Sequence, residues 1–215
     1  MKRFKARIGE EALRTDQVLT SGQLLRLGVN PDWFPSVTES VRLTSYVGAE
    51  TVVTFHALRP ATLEGLRARQ LAHLAGVAEM RLVLGVPPGP HWQVSAHLRH
   101  ADERPDAVWT HEGQTRLIEF DSCDYPRGVV ERKVHGMQPK GPLYWGTTSA
   151  LRVNRLAVLY PRMHVMLALW WQTPEERAGT VQGAGAGVFT ERNALGLQRN
   201  ARRYGADQGR TTGSR

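Results

Sequence analysis

The chain has 215 residues, a formal net charge of +8 and a sequence pI near 10.2, with 41% hydrophobic and 22% charged residues. That is the make-up of a globular protein with room for one large domain or two small ones, and the basic excess favours polyanion partners such as nucleic acid without requiring them. One cysteine, Cys123, excludes an internal disulfide and a cysteine-rich zinc site, and fits a reducing compartment.

The first residues, MKRFKARIGEEALR, are charged and carry no apolar signal-peptide core. The longest apolar run, His164 to Trp171, is too short to span a bilayer, so the chain reads as soluble and cytoplasmic, with no membrane partner. Residues 1–17 form an N-terminal segment, and 18–60 read as a winged helix-turn-helix. Thr20 or Ser21 caps a short helix, SGQLLRLGV, that ends near Gly28. After the turn NPDWFP, Ser36 caps a second helix, SVTESVRL, with Glu39 completing a capping box. The β-rich runs TSYV and TVVTF, split by GAE, then predict a hairpin.

Residues 61–173 read as an α/β domain with a mixed central sheet. A helix is predicted over 61–84, with Leu71, Leu74, Ala75, Ala78 and Leu82 as its apolar stripe. Strands WQVSAHL, PDAVWT and TRLIEFD follow, then a helix from Gly128 to Met137, strand LYWGTTS, helix ALRVNRLAVLY and strand HVMLALWW. Residues 174–215 read as a flexible Gly- and Arg-rich tail, with Arg199, Arg202, Arg203, Arg210 and Arg215 placed to lie on DNA.

The most informative segment is ERPDAVWTHEGQTRLIEFDSCDY. If Glu112-Gly113 is a two-residue turn, His111 pairs with Gln114 and Asp106 lies opposite Glu119. Strand alternation then puts Asp106, Glu119 and Asp121 on one face, and Ala107, Trp109, Ile118 and Phe120 on the other, toward the core. Two carboxylates about 5 Å apart repel by roughly 3 kcal/mol at an effective dielectric near 20. Such a cost is offset by a divalent cation, a nearby Lys or Arg, or a shared proton with a raised pKa. An all-oxygen ligand set suits Mg²⁺ or Mn²⁺. Alternatively, one of Asp121, Ser122 and Asp124 reads as the N-cap of the following helix, and the acids on the strands as a solvated face.

A helix bearing a Glu, a Pro-Asp strand, an E-x-(D/K) strand and a further helix is the order of the PD-(D/E)XK nuclease fold. Here the matching pieces are Glu79, Pro105-Asp106 and Glu119-Phe120-Asp121. The segments HLAGVAEMRLVL, RPDAVW, LIEFDS, ERKV and LYWGTTSALR, within residues 18–172, resemble more closely the replication-relaxation family of plasmids and phages, in which a winged helix precedes a nuclease-like domain. The resemblance implies a DNA-binding protein of a mobile element. Asp106, Glu119, Asp121 and Lys133 would be catalytic, and Asp106, Glu119 and Glu79 would hold Mg²⁺ or Mn²⁺. One departure stands out: Asp121 occupies the place where such nucleases usually carry a Lys. Lys133 in VVERKV is the substitute from the following helix, and it also reads as a plain surface lysine.

Arg26, Thr38, Arg42, Arg152 and Arg155 are candidate DNA contacts, Thr38 and Arg42 by facing the major groove from the helix at 36–43. His73 reads as a partly buried residue or as a neighbour of the acids. Trp145, Trp170 and Trp171 read as core. A non-catalytic DNA-binding regulator on a degenerate nuclease scaffold is the alternative function, and a homodimer or a replication or mobilisation partner protein is compatible with either.

Overall fold

Helix α4 (Ala68–Val83) is the axis of the molecule, and its sequence explains why. Leu71, Leu74, Ala75, Val77, Ala78 and Met80 surround the helix rather than forming one stripe, so it is buried between two layers. The computed structural model describes residues 2–43, 50–95, 104–122 and 124–176. The elements belong to one compact unit, Met1–Glu175.

On one side of α4 lie α1 (Lys2–Asp16), β1 (Leu19–Thr20), α2 (Ser21–Arg26), β2 (Ser36–Arg42) and β3 (Glu50–His56), followed by α3 (Pro60–Glu64). The three strands form an antiparallel sheet of order β1-β3-β2. Thr20 caps α2 in a reciprocal capping box with Gln23, and Gly28 follows the helix at φ +70°.

The helix expected over 36–43 is strand β2. Ser36, Thr38, Ser40 and Arg42 point outward while Val37, Glu39 and Val41 point inward, a period of two that a helix does not produce. All seven residues pair with β3, from Ser36 opposite His56 to Arg42 opposite Glu50. The local Ser-x-x-Glu signal loses to β-branched Val37, Thr38 and Val41 and to a complementary partner strand. The strand expected over TSYV lies outside the described residues. Helix α1, absent from the sequence expectation, docks through Ala12 and Leu13 onto Leu19, Leu24, Val29 and Ala78.

On the other side of α4 is a mixed five-stranded sheet of order β4-β5-β6-β7-β8: β4 (Trp92–Val94), β5 (Ala107–His111), β6 (Gln114–Asp121), β7 (Leu143–Thr147) and β8 (His164–Leu167). Strands β4 to β6 are antiparallel, whereas β6, β7 and β8 are parallel, joined through α5 (Arg127–Met137) and α6 (Ala150–Leu159). The β5–β6 turn is the one expected: Glu112 and Gly113 both have positive φ, 52° and 72°, and His111 pairs with Gln114. The helix expected over 61–84 is interrupted at Gly65–Arg67, so α3 and α4 are separate.

Both faces of this sheet are covered. Ala107, Ile118 and Phe120 pack toward α4, where the Phe120 ring lies against Gly76 and Met80 against Gly146; a Cβ at either glycine would collide. Leu117, Leu143 and Trp145 pack on the opposite face with Val130, Val134 and Leu156 of α5 and α6. Trp145 and Trp170 are fully buried, as core residues should be. No described helix is long and apolar enough to cross a membrane.

Candidate active site

Alternation along β6 sends Glu119 and Asp121 to the α5/α6 face, where both are completely buried. The solvated-face reading of these acids is thereby excluded. Asp106 stands just before β5, and its backbone N–H donates to the Ile118 carbonyl at 2.8 Å. It is therefore held beside the β6 residues that carry the other acids, as the register predicts.

Each acid meets a basic side chain from a different helix. Lys133 of α5, itself buried, brings Nζ to 2.7 Å from Glu119 Oε1. Arg152 of α6 pairs with Asp121 and donates to the Tyr125 carbonyl at 2.8 Å. His73 of α4 places Nε2 3.1 Å from Asp106 Oδ1, while Asp106 Oδ2 accepts the Phe120 N–H at 2.8 Å. Tyr125 lies in the middle, with the Lys133 ammonium 5.3 Å from its ring centroid. Of the three ways to relieve crowded carboxylates, the structure shows a neighbouring cation and a shifted proton affinity.

Burial pushes the Glu119 carboxyl well above the ordinary 4.5, and the Asp106 charge adds to this against the opposing pull of Lys133. Burial also pushes Asp106 up, but His73, the Phe120 N–H and Lys133 together hold it below 3.8. Burial alone would lower His73; its Asp106 partner outweighs that and the repulsion from Lys133 and Arg69, so its pKa is raised from 6.5. Two neighbouring carboxyls are thus driven apart in proton affinity, an arrangement typical of acid–base chemistry. Lys133 and the Tyr125 hydroxyl are the polar partners of the Glu119 carboxyl, and Arg152 Nε is buried without a hydrogen-bond partner.

The remaining predicted residues are distributed elsewhere. Glu79 is buried on the α2 side of α4, where Arg26 Nη1 donates to it at 3.0 Å and Gln23 Nε2 at 3.1 Å. A second Arg26 nitrogen pairs with the same carboxylate. Glu79 thereby joins Arg26 rather than the Asp106–Glu119 pair, and Arg26 is engaged inside the protein. Thr38 and Arg42 lie exposed on strand β2, not on a groove-reading helix, and the Thr38 hydroxyl is 3.0 Å from that of Thr54. Arg155 is exposed on α6. Cys123 and the tail arginines lie outside the described residues. Tyr125 is the site residue that sequence reasoning missed; its only signal is its place in DSCDYP, between the acid-bearing strand and α5.

Among the described residues, no group of three or more His, Cys, Asp or Glu side chains is gathered to hold a metal ion. Asp106 and Glu119 remain a two-carboxylate set, which suits a hard cation that takes its other ligands from water and phosphate. Fold and site together define a mixed α/β protein with a buried carboxylate–cation centre beside the central strand of a five-stranded sheet. No protein-family model, no curated protein and no solved structure matches the chain.

Proposed function

We propose that the chain is a DNA-handling protein of the replication-relaxation kind, from a plasmid- or phage-type mobile element, with a PD-(D/E)XK-type centre for phosphodiester hydrolysis. The observation that carries the proposal is the buried Lys133–Glu119 pair beside Asp106. Lysine from the helix after the E-x-D strand meets the glutamate of that strand at 2.7 Å, which makes good the missing Lys at position 121. The succession of α4, the Pro105-Asp106 strand, the Glu119 strand and α5 supports the same reading. So does the N-terminal three-stranded sheet with its β2–β3 hairpin, which fits a winged module that would contact DNA through the hairpin, Arg42 included.

When bound by Asp106 and Glu119, Mg²⁺ or Mn²⁺ would supply Lewis-acid activation of a phosphate. The chain's own groups do the rest. Lys133 stabilises negative charge developing on the phosphate oxygens. Lys133 also orients the attacking water beside the carboxylates. Asp121 fixes Arg152 against the Tyr125 carbonyl, so its guanidinium stands beside the acids as an anchor for a phosphate.

Plasmid and oligonucleotide cleavage in Mg²⁺, Mn²⁺ or EDTA tests this directly. Metal-dependent cutting is expected, with Asp106→Ala lowering it by roughly a hundredfold or more while duplex binding is kept. Cutting that survives Asp106→Ala would remove the assignment. A second reading, a non-catalytic DNA-binding factor on the same scaffold, is favoured by the withdrawal of Glu79 into its Arg26 pair and by Asp121 at the usual lysine position. It predicts DNA retardation in EDTA and no cutting in any metal.

A further inference from the structure

The α4-side face of the five-stranded sheet has two halves. One half, bearing Ile118, Phe120 and Gly146, is covered by α4. Strand register places Trp109 and His111 of β5, Arg116 of β6, Tyr144 of β7 and His164 of β8 on the same face, in the other half. Their rings are in continuous contact. Trp109 stacks with His111 at 5.6 Å between centroids and 25° between planes. Trp109 meets Tyr144 edge to face at 6.0 Å, and Tyr144 stacks on His164 at 4.5 Å and 17°. The Arg116 guanidinium lies over Trp109 at 4.5 Å. His111 and His164 are exposed; Trp109, Arg116 and Tyr144 are half-buried.

We infer that this row is a stacking platform for the unpaired bases of single-stranded nucleic acid. Four adjacent strands spaced about 4.8 Å apart make a strip roughly 14 Å long, enough for two or three bases. Within the row the rings stack on one another, so bases would stack at its ends, on the outer faces of the exposed His111 and His164, while the Arg116 guanidinium adds charge. The platform is not a greasy protein-docking patch: among the described residues the exposed large hydrophobics are Phe4, Leu25, Val52, Val83, Leu151, Val158 and Leu159, none of them on this sheet. Its charge favours a polyanion, with Arg116 on it and exposed Arg162 two residues before His164 against one exposed carboxylate, Glu112, 3.7 Å from His111 Nε2. The carboxylates of Glu119 and Asp121 point to the other face of β6, so the strand would pass the hydrolytic centre rather than stack inside it. The inference rests on the nucleic-acid part of the function proposed above and does not depend on cleavage.

The test is binding of a fluorescently labelled oligo-dT to the full chain in EDTA at roughly 0.15 M salt, where tail electrostatics are damped. Wild-type protein should bind with quenching of tryptophan fluorescence, and duplex DNA should compete poorly at the platform. Trp109→Leu should remove most of the quenching. Because Trp109 is half-buried, His164→Ala and Arg116→Ala supply a folding-neutral check, each weakening oligo-dT binding by about fivefold or more. Binding unchanged in these variants, binding abolished equally well by duplex, or no binding at all would each overturn the platform. Loss of metal-dependent cleavage from the chain's repertoire, with this variant-sensitive binding intact, would remove the hydrolytic reading and leave the platform standing.

Discussion

Of the buried ionic groups beside α4, two are built on opposite terms. On the N-terminal side, Arg81 is fully committed: Nε reaches both Asp16 oxygens at 2.8 and 3.0 Å, Nη2 donates to Asp16 at 2.6 Å, and Nη1 donates to the Val86 carbonyl at 2.7 Å. Both side chains are essentially inaccessible. On the sheet side, Asp106, Glu119 and Asp121 share their surroundings with His73, Lys133 and Arg152, and Arg152 Nε is buried without a hydrogen-bond partner. The first arrangement is a clamp between α1 and α4. The second carries crowded charge and open hydrogen-bonding capacity, which a fold retains where something else is to be bound.

The clamp gives the largest expected effect. Arg81→Met removes four hydrogen bonds and leaves Asp16 buried alone, so it should cost about 3–5 kcal/mol in urea unfolding. Cleavage and DNA retardation should survive wherever the protein stays folded. A cost below about 1 kcal/mol would place Asp16–Arg81 with ordinary surface pairs and erase the contrast. The α1 basis of the effect is checked by deleting residues 1–16, which should be no less damaging.

Lys133→Met should be milder, about 1–3 kcal/mol, because it removes one ion pair where Arg81 makes four hydrogen bonds; burial raises the proton affinity of Glu119 as it does that of Asp16, so either carboxyl can take up a proton when its partner goes. The sign follows from linkage. A carboxyl whose folded pKa lies above its unfolded 4.5 contributes stability below that value and loses it as the pH rises through the folded pKa. Removing Lys133 raises the folded pKa further, so the variant should lose ground as the pH increases and recover toward wild type in acid. A cost independent of pH would mean that the lysine acts through packing alone. Cleavage, where present, should fall far more than stability does, the reverse of the Arg81 variant.

How much of these centres the sequence discloses depends on the range of the interaction that forms them. The β5–β6 hairpin was legible because its turn, register and side-chain faces all follow from a single local fact, the Glu112-Gly113 turn. Lys133 was legible as a candidate only through resemblance; its burial depends on how α5 crosses the sheet. Segment 36–43 was misread because a capping-box pattern is local, whereas its strand identity comes from pairing with residues 50–56. Glu79 shares a helix with His73, but α4 is buried on both sides, and periodicity does not say which side meets the acids. The short helix ending at Arg26 was visible, its pairing with Glu79 across 53 residues was not. Nor was the Asp16–Arg81 clamp, spanning 65 residues.

The smallest effect is the sharpest on the local electrostatics of the sheet-side centre. His73 is pulled down by burial and by Lys133 and Arg69, and pulled up by Asp106, which prevails. In metal-free protein, an NMR titration of the His73 ring should therefore have its midpoint above 6.5, and Asp106→Asn should bring it below 6.5. For stability, the raised imidazole contributes below 6.5 and loses its contribution as the pH rises through the folded pKa. The depressed Asp106 carboxyl contributes above 3.8 and loses its share as the pH falls through its folded pKa. The pair is thus worth most between those limits, by about 1 kcal/mol or less given its partial exposure. A midpoint unmoved by Asp106→Asn would show that His73 answers to its burial and not to the carboxylate, and the sheet-side centre would then consist of Glu119, Asp121 and their two cations alone.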